Sequence, residues 1–184
     1  MREVLKSLKG RNELVDLRRD GPNMPDFRCF VVDCSEEYVL VRVASDDIIM
    51  SGYSVLRVKD ICLVRRDSAR LRAWAASLGS IPKGRVRCPR VHLRNWATII
   101  RSVCRVEPII TFMREESDGT RCNIGCNVKV CRGIVQADEV STEGVLDGRM
   151  VFTLDGLTRI DFGGNYEKGL VRVLGADGYR KKSR

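Results

Sequence analysis

Short runs of β-branched and aromatic residues, each closed by Gly, Pro, Asn, Asp or Ser, recur along the whole 184-residue chain. Runs of that length with that punctuation read as strands, so the chain is expected to be mainly β with a few accessory helices. The clearest are residues 27–34, rich in Phe and Val, and Tyr38-Val39-Leu40-Val41-Arg42-Val43, with Ser35-Glu36-Glu37 between them as a tight turn. Leu14-Val15-Asp16-Leu17 precedes them, across a loop holding Gly21, Pro22 and Pro25. Ser51-Gly52 marks a further turn before Val55-Leu56-Arg57-Val58 and Ile61-Cys62-Leu63-Val64. Val4, Leu5 and Leu8 share one face of a short N-terminal helix.

From Asp67 the period lengthens. Ser68 is a plausible helix cap, Leu71, Trp74, Ala75 and Leu78 follow at helical spacing, and Gly79 stops the pattern. Residues 81–89 hold two prolines and a glycine and read as irregular chain. Trp96, Ile99, Ile100 and Val103 repeat the helical spacing over residues 92–104. Strand signals resume at 109–112, 121–125, 128–135, 150–154 and 157–162. Gly163-Gly164-Asn165 then caps a closing helix carrying Tyr166, Leu170, Val173 and Leu174, ahead of a basic tail.

The two lists run in the same order, which suggests an internal repeat. Arg28-Cys29 matches Arg121-Cys122 at an offset of 93, and Val55/Val151, Leu56/Phe152, Val58/Leu154, Ile61/Leu157 and Val64/Ile160 match at 96. The expected organisation is a helix plus a first small five-stranded barrel over 1–67, a basic helical connector over 68–104, and a second barrel with a closing helix over 105–184. Trp74 and Trp96, each on the apolar face of its helix, are the expected packing anchors.

The unit resembles a small Sm-like barrel. Phe30-Val31-Val32-Asp33 through Tyr38-Val39-Leu40 is similar to the first half of an Sm motif, where an acidic residue follows an apolar strand. Leu157-Thr158-Arg159-Ile160-Asp161-Phe162-Gly163-Gly164-Asn165-Tyr166 resembles the ending of a group of uncharacterised bacterial proteins. The resemblance implies two tandem Sm-like barrels. It does not carry over RNA-binding residues: Sm proteins that bind uridine-rich RNA use an Asn in the first motif and an Arg-Gly pair between the last two strands. This chain has Lys59-Asp60 and Asp155-Gly156 at those loops, and its Arg132-Gly133 falls among the middle strands.

Charge is concentrated in the middle. Residues 57–105 hold 13 Lys and Arg against Asp60 and Asp67, a net +11, whereas the rest holds 20 basic and 22 acidic residues. Arginine supplies 25 of the 33 basic residues, and its planar fork suits phosphate and carboxylate. The expected function is therefore non-catalytic binding, with nucleic acid, RNA in particular, held by Arg65, Arg66, Arg70, Arg72, Lys83, Arg85, Arg87, Arg90 and Arg94. The alternative is a protein-interaction or self-assembly module without a nucleic-acid ligand. Solvated arginines, or arginines paired with Glu36, Glu37, Asp46, Asp47, Glu115 and Glu116, would explain the same composition.

No phosphate-binding loop, dinucleotide fingerprint, nucleophile elbow or zincin motif is present, and one histidine, His92, leaves little imidazole chemistry. The eight cysteines include no Cys-x-x-Cys pair. Cys29, Cys62 and Cys122 sit in strand-like runs where a thiol fills apolar space. No enzyme, metal or cofactor is expected. Nothing in the sequence is apolar for long enough to span a bilayer or to form a signal peptide, which points to a cytoplasmic protein with no membrane partner.

Overall fold

A computed structural model of the chain describes residues 1–44, 50–66 and 88–180, the last five of these by backbone alone. The first hairpin joins β2 (Phe27–Cys34) to β3 (Tyr38–Ala44), and Ser35 closes it: its backbone N–H donates to the Tyr38 carbonyl at 2.8 Å and its hydroxyl accepts the Tyr38 N–H at 3.1 Å. Alternate residues of these strands face opposite ways. Cys29, Val31, Val39 and Val41 pack with Leu5 and Leu8 of α1 (Arg2–Leu8), while Phe30, Val32, Tyr38 and Leu40 pack with Trp96, Ile99, Ile100 and Val103 of α2 (Trp96–Val103). With a helix over each face, both sets must be apolar, which is why these strands read as continuous runs rather than as an alternation.

Flanking this hairpin are β1 (Leu14–Arg19), β4 (Met50–Arg57) and β5 (Ile61–Arg66). The second half contributes β6 (Ile109–Met113), the single-turn α3 (Glu115–Asp118), β7 (Cys122–Cys131), β8 (Ile134–Val140), β9 (Leu146–Thr153) and β10 (Arg159–Phe162). The closing helix, α4 (Asn165–Arg180), is broken at Gly175, whose φ of 68° lies in the left-handed region.

Two closed five-stranded barrels joined by a helical connector are not what forms. β4 pairs with β10, so the ten strands of the described residues make one antiparallel sheet in the order β5-β1-β2-β3-β4-β10-β6-β7-β8-β9, open among those residues at β5 and β9. The seam sets Tyr53 opposite Phe162, Ser54 opposite Asp161, Val55 opposite Ile160 and Leu56 opposite Arg159. Hydrophobic periodicity records which face of a strand is buried. It is silent on which strand meets the free edge, because edges pair through backbone groups that every residue carries. The connector helix expected across Leu71, Trp74, Ala75 and Leu78 lies outside the described residues; of that segment, α2 is seen.

Within this sheet the halves follow one order: fifth, first, second, third, fourth strand, then tenth, sixth, seventh, eighth, ninth. A 3-10 turn at Val58–Asp60 links β4 to β5, and another at Leu154–Gly156 links β9 to β10. The Val58 N–H donates to Glu37 and the Leu154 N–H to Gly133, 2.8 and 2.9 Å, each reaching the hairpin turn of its own half. Several boundaries differ from expectation: the strand expected at 150–154 begins at Leu146, and those expected at 121–125 and 128–135 give one strand that ends at Cys131. The chain does not run straight through 128–135; it turns at Arg132-Gly133, both at positive φ (48° and 78°), and β8 continues through the polar Gln136 to Glu139.

Candidate functional site

Beneath the seam lies a buried ionic network. The Arg19 guanidinium donates to both Glu115 carboxylate oxygens at 2.8 and 2.7 Å, with both side chains fully buried. Glu115 also meets Arg159 at 3.1 Å and accepts the Thr158 hydroxyl at 2.6 Å. Arg57 donates to Asp60 at 2.6 Å and pairs with Glu116. The Arg19 and Arg159 guanidinium carbons lie 5.9 and 5.2 Å from the Phe27 ring centroid. These charges answer one another. The network joins β1, β4, β10 and α3 and is structural.

A cleft of about 680 Å³ opens where β3, β4, the segment leading into α2, and α4 meet. Arg42 from β3, Tyr53 from β4, Arg90, Glu107 and Lys168 from α4 line it. Arg42 interrupts an otherwise apolar strand, and its Nε is buried with no hydrogen-bond partner among the described residues. The Arg42 guanidinium carbon sits 5.7 Å from the Tyr53 ring centroid, and Tyr53 stacks on Phe162 at 5.6 Å with the planes 18° apart. The aromatic platform is therefore anchored in the seam. Arg90 and Lys168 are exposed. Burial pushes the Glu107 carboxyl up, against the pull of the Lys168 charge. Among the described residues three cations line this cleft with a single carboxylate of weakened acidity, which favours an anionic ligand.

A second cleft, about 660 Å³, lies near the start of α2 and is lined by Glu36, Glu37, Asp155, Arg57, Lys59 and Trp96 among others. Three carboxylates face two cations there, and Arg57 is already taken by Asp60 and Glu116. Trp96 is 7% exposed, meets Tyr38 edge-on at 4.8 Å and donates its Nε1–H to the Leu157 carbonyl at 3.1 Å. It is core, as its helical spacing suggests.

Among the nine cations expected to form a nucleic-acid surface, four are described and they do not converge. Arg90 lines the 680 Å³ cleft. Arg65 belongs to a different, smaller cleft beside Asp16 and Asp26. Arg66, exposed on β5, lies 3.6 Å from Glu13. Arg94 is exposed just ahead of Asn95, whose side chain caps α2 by accepting the Thr98 N–H at 2.9 Å. Arg70, Arg72, Lys83, Arg85 and Arg87 lie outside the described residues. Sequence reasoning missed Arg42, Tyr53 and Lys168; an arginine inside Val39-Leu40-Val41-Arg42-Val43 was the signal for the first of them.

The cysteines correct the sequence reading in part. Cys29 is buried as filler, and burial raises its thiol far above the ordinary value. Cys62 and Cys122 are exposed, because they occupy outward positions of β5 and β7. Among the described residues no group of three or more His, Cys, Asp and Glu could hold a metal ion, and no helix is long and apolar enough to cross a membrane. Comparison with protein-family models, with curated proteins and with solved structures finds no match to this chain.

Proposed function

We propose that this chain is a non-catalytic binding module for single-stranded nucleic acid, RNA first, with the Arg42–Tyr53–Arg90–Lys168 cleft as its anchoring point. One observation carries the reading: Arg42, Arg90 and Lys168 line one cleft together with the Tyr53 ring, and its Arg90 wall belongs to the +11 stretch of residues 57–105. Single-strand binders combine those two parts, cations that follow the phosphates and aromatic faces on which bases stack; here Phe162 holds one face of Tyr53, and a base would take the other in place of Arg42. The shared order of strands in the two halves supports a further element of the proposal, that each half is a copy of one five-strand unit.

The test is fluorescence anisotropy with a labelled random RNA of about 20 nucleotides, titrated at about 50 and about 200 mM salt. Wild type binds at the lower salt and weakens steeply at the higher. Arg90→Glu combined with Lys168→Glu, both on exposed side chains, weakens binding at least about tenfold. It also flattens the dependence of log affinity on log salt by roughly 1.4, because each phosphate neutralised on a single strand accounts for about 0.7 of that slope. No binding at about 50 mM salt, or an unchanged affinity in the double variant, overturns the proposal.

A further inference from the structure

The strands at the two ends of the sheet are the counterparts of the strands that form its central seam. β4 is the fourth strand of its half and β10 the fifth of the other, and they pair. The free ends are β9, again a fourth strand, and β5, again a fifth. The equivalence is positional as well as topological: the 3-10 turns that separate fourth from fifth strand begin at Val58 and Leu154, 96 residues apart. The same offset relates Val55 to Val151 and Val64 to Ile160.

Burial separates the strands that have found this partner from those that have not. In the seam Val55 and Leu56 are 0% exposed and Arg159 is 9% exposed. At the corresponding free positions Val151 is 59% and Leu63 is 38% exposed. Most of β9, and β5 beyond its first residue apart from the half-buried Val64, stand open to solvent, while among the described residues neither has a second strand beside it.

We infer that β9 of one molecule pairs antiparallel with β5 of a second copy, so that the seam recurs between molecules and chains them head to tail. Carried over by the offset of 96, the seam register sets Phe152 opposite Leu63 and Val151 opposite Val64 of the neighbour, two apolar pairs that cover the exposed side chains. It also sets Arg149 opposite Arg66. Each of those arginines already has a carboxylate at hand, Asp138 at 3.7 Å and Glu13 at 3.6 Å, so the facing charges are offset within each molecule. Because the two edges differ, the contact is heterologous: it propagates until the rotation per step closes a ring, or continues as a filament. The proposal rests on the reading of each half as a copy of one five-strand unit and is independent of the nucleic-acid reading.

Two edges of different kind allow a mixing test. Wild type, followed by light scattering and sedimentation equilibrium up to about 500 μM, is expected to show mass rising with concentration above the 20.8 kDa protomer. Val151→Lys blocks β9 and Leu63→Lys blocks β5, since an edge lysine discourages strand addition. Both substitutions are at exposed positions, and far-UV circular dichroism confirms that each variant is folded. Each alone is expected at the protomer mass, and a 1:1 mixture at about twice that mass and no further, because only one competent β9–β5 pair remains. A wild type that stays monomeric over the whole range overturns the inference without reference to either variant. So does a variant that still self-associates, which would mean that like edges pair, or a mixture that fails to form the two-chain species.

Discussion

Glu115 shows how a single side chain can hold the structure together at a position that sequence makes look like solvated surface. It sits beside Glu116 in a polar stretch, yet it is fully buried and receives Arg19, Arg159 and Thr158. Burial alone raises its carboxyl, but the Arg19 and Thr158 hydrogen bonds and the two arginine charges outweigh it and hold the group below the ordinary carboxylate range. Glu115→Gln is expected to lower the free energy of unfolding by roughly 3–5 kcal/mol in urea titrations at pH 7, chiefly because the buried Arg19 loses two charged hydrogen bonds and is left with Asp60 at 3.6 Å. Replacing both partners, as Arg19→Met with Glu115→Leu, should cost much less than either single change, since Arg159 keeps Asp161 at 3.0 Å and Asp60 keeps Arg57 at 2.6 Å. The sign with pH follows. A carboxyl that is a stronger acid when folded stabilises fully above the ordinary pKa of about 4.3 and loses that contribution as pH falls through the folded value. The gap between wild type and Glu115→Gln should therefore narrow as the titrations are repeated from about pH 6 down to about pH 3. A gap that widens on acidification would contradict this assignment.

At the scale of elements, the seam depends on two glycines. A Cβ on Gly52, where φ is +121°, would lie 2.6 Å from Gly164 Cα and N, and a Cβ on Gly164 would lie 2.2 Å from the Ser51 carbonyl oxygen. Neither neighbour is a flexible side chain, so Gly52→Ala or Gly164→Ala forces β4 and the turn after β10 apart. Each is expected to cost about 2–4 kcal/mol, seen as a melting temperature lower by roughly 5–15 °C. Gly169 in α4 is the control: nothing lies within 4 Å of its added Cβ, and Gly169→Ala should stabilise by about 0.5–1 kcal/mol. This scale also shows what sequence could tell and what it could not. Residues 27–34 and the start of the next strand at Tyr38 were legible because both faces of that hairpin are covered and the apolar runs are unbroken. The Gln136 to Glu139 portion of β8 was not, because Gln136 is exposed and Asp138, though buried and hydrogen-bonded by Asn127, is polar, so the apolar alternation is broken. The seam was invisible for a different reason, being made of backbone pairing between segments about 100 residues apart. Of the four expected binding residues that are described, Arg90 lines the cleft and Arg65, Arg66 and Arg94 do not, since charge density along a chain does not say which face it reaches.

For the whole molecule, the decisive fact is that the main core ignores the boundary between the halves. Leu14, Phe30, Leu40 and Val55 from the first half belong to the same buried cluster as Ile110, Phe112, Val135 and Ile160 from the second, with α2 contributing Trp96, Ile99, Ile100 and Val103. Two lobes that merely touched would each keep a core and could unfold one at a time. Here, separating the halves would expose residues that are 0–7% accessible, among them Val55, Trp96, Phe112 and Ile160, and each large apolar side chain put into water costs about 1.5–3 kcal/mol. Neither half is therefore expected to persist once the other has unfolded, and urea denaturation should be a single transition. The measurement is direct in a Trp74→Phe background, which leaves Trp96 as the one tryptophan, packed against Tyr38 of the first half and hydrogen-bonded to Leu157 of the second. Its fluorescence and the far-UV circular dichroism should share one midpoint and one slope, since the probe at the shared core and the strands of both halves report the same event. Ile160→Ala, which opens a cavity on the β10 side of the seam, should move both curves together by the equivalent of about 2–5 kcal/mol. Two resolved transitions, or a midpoint for Trp96 that separates from that of the strands in Ile160→Ala, would show instead that the halves hold their structure independently.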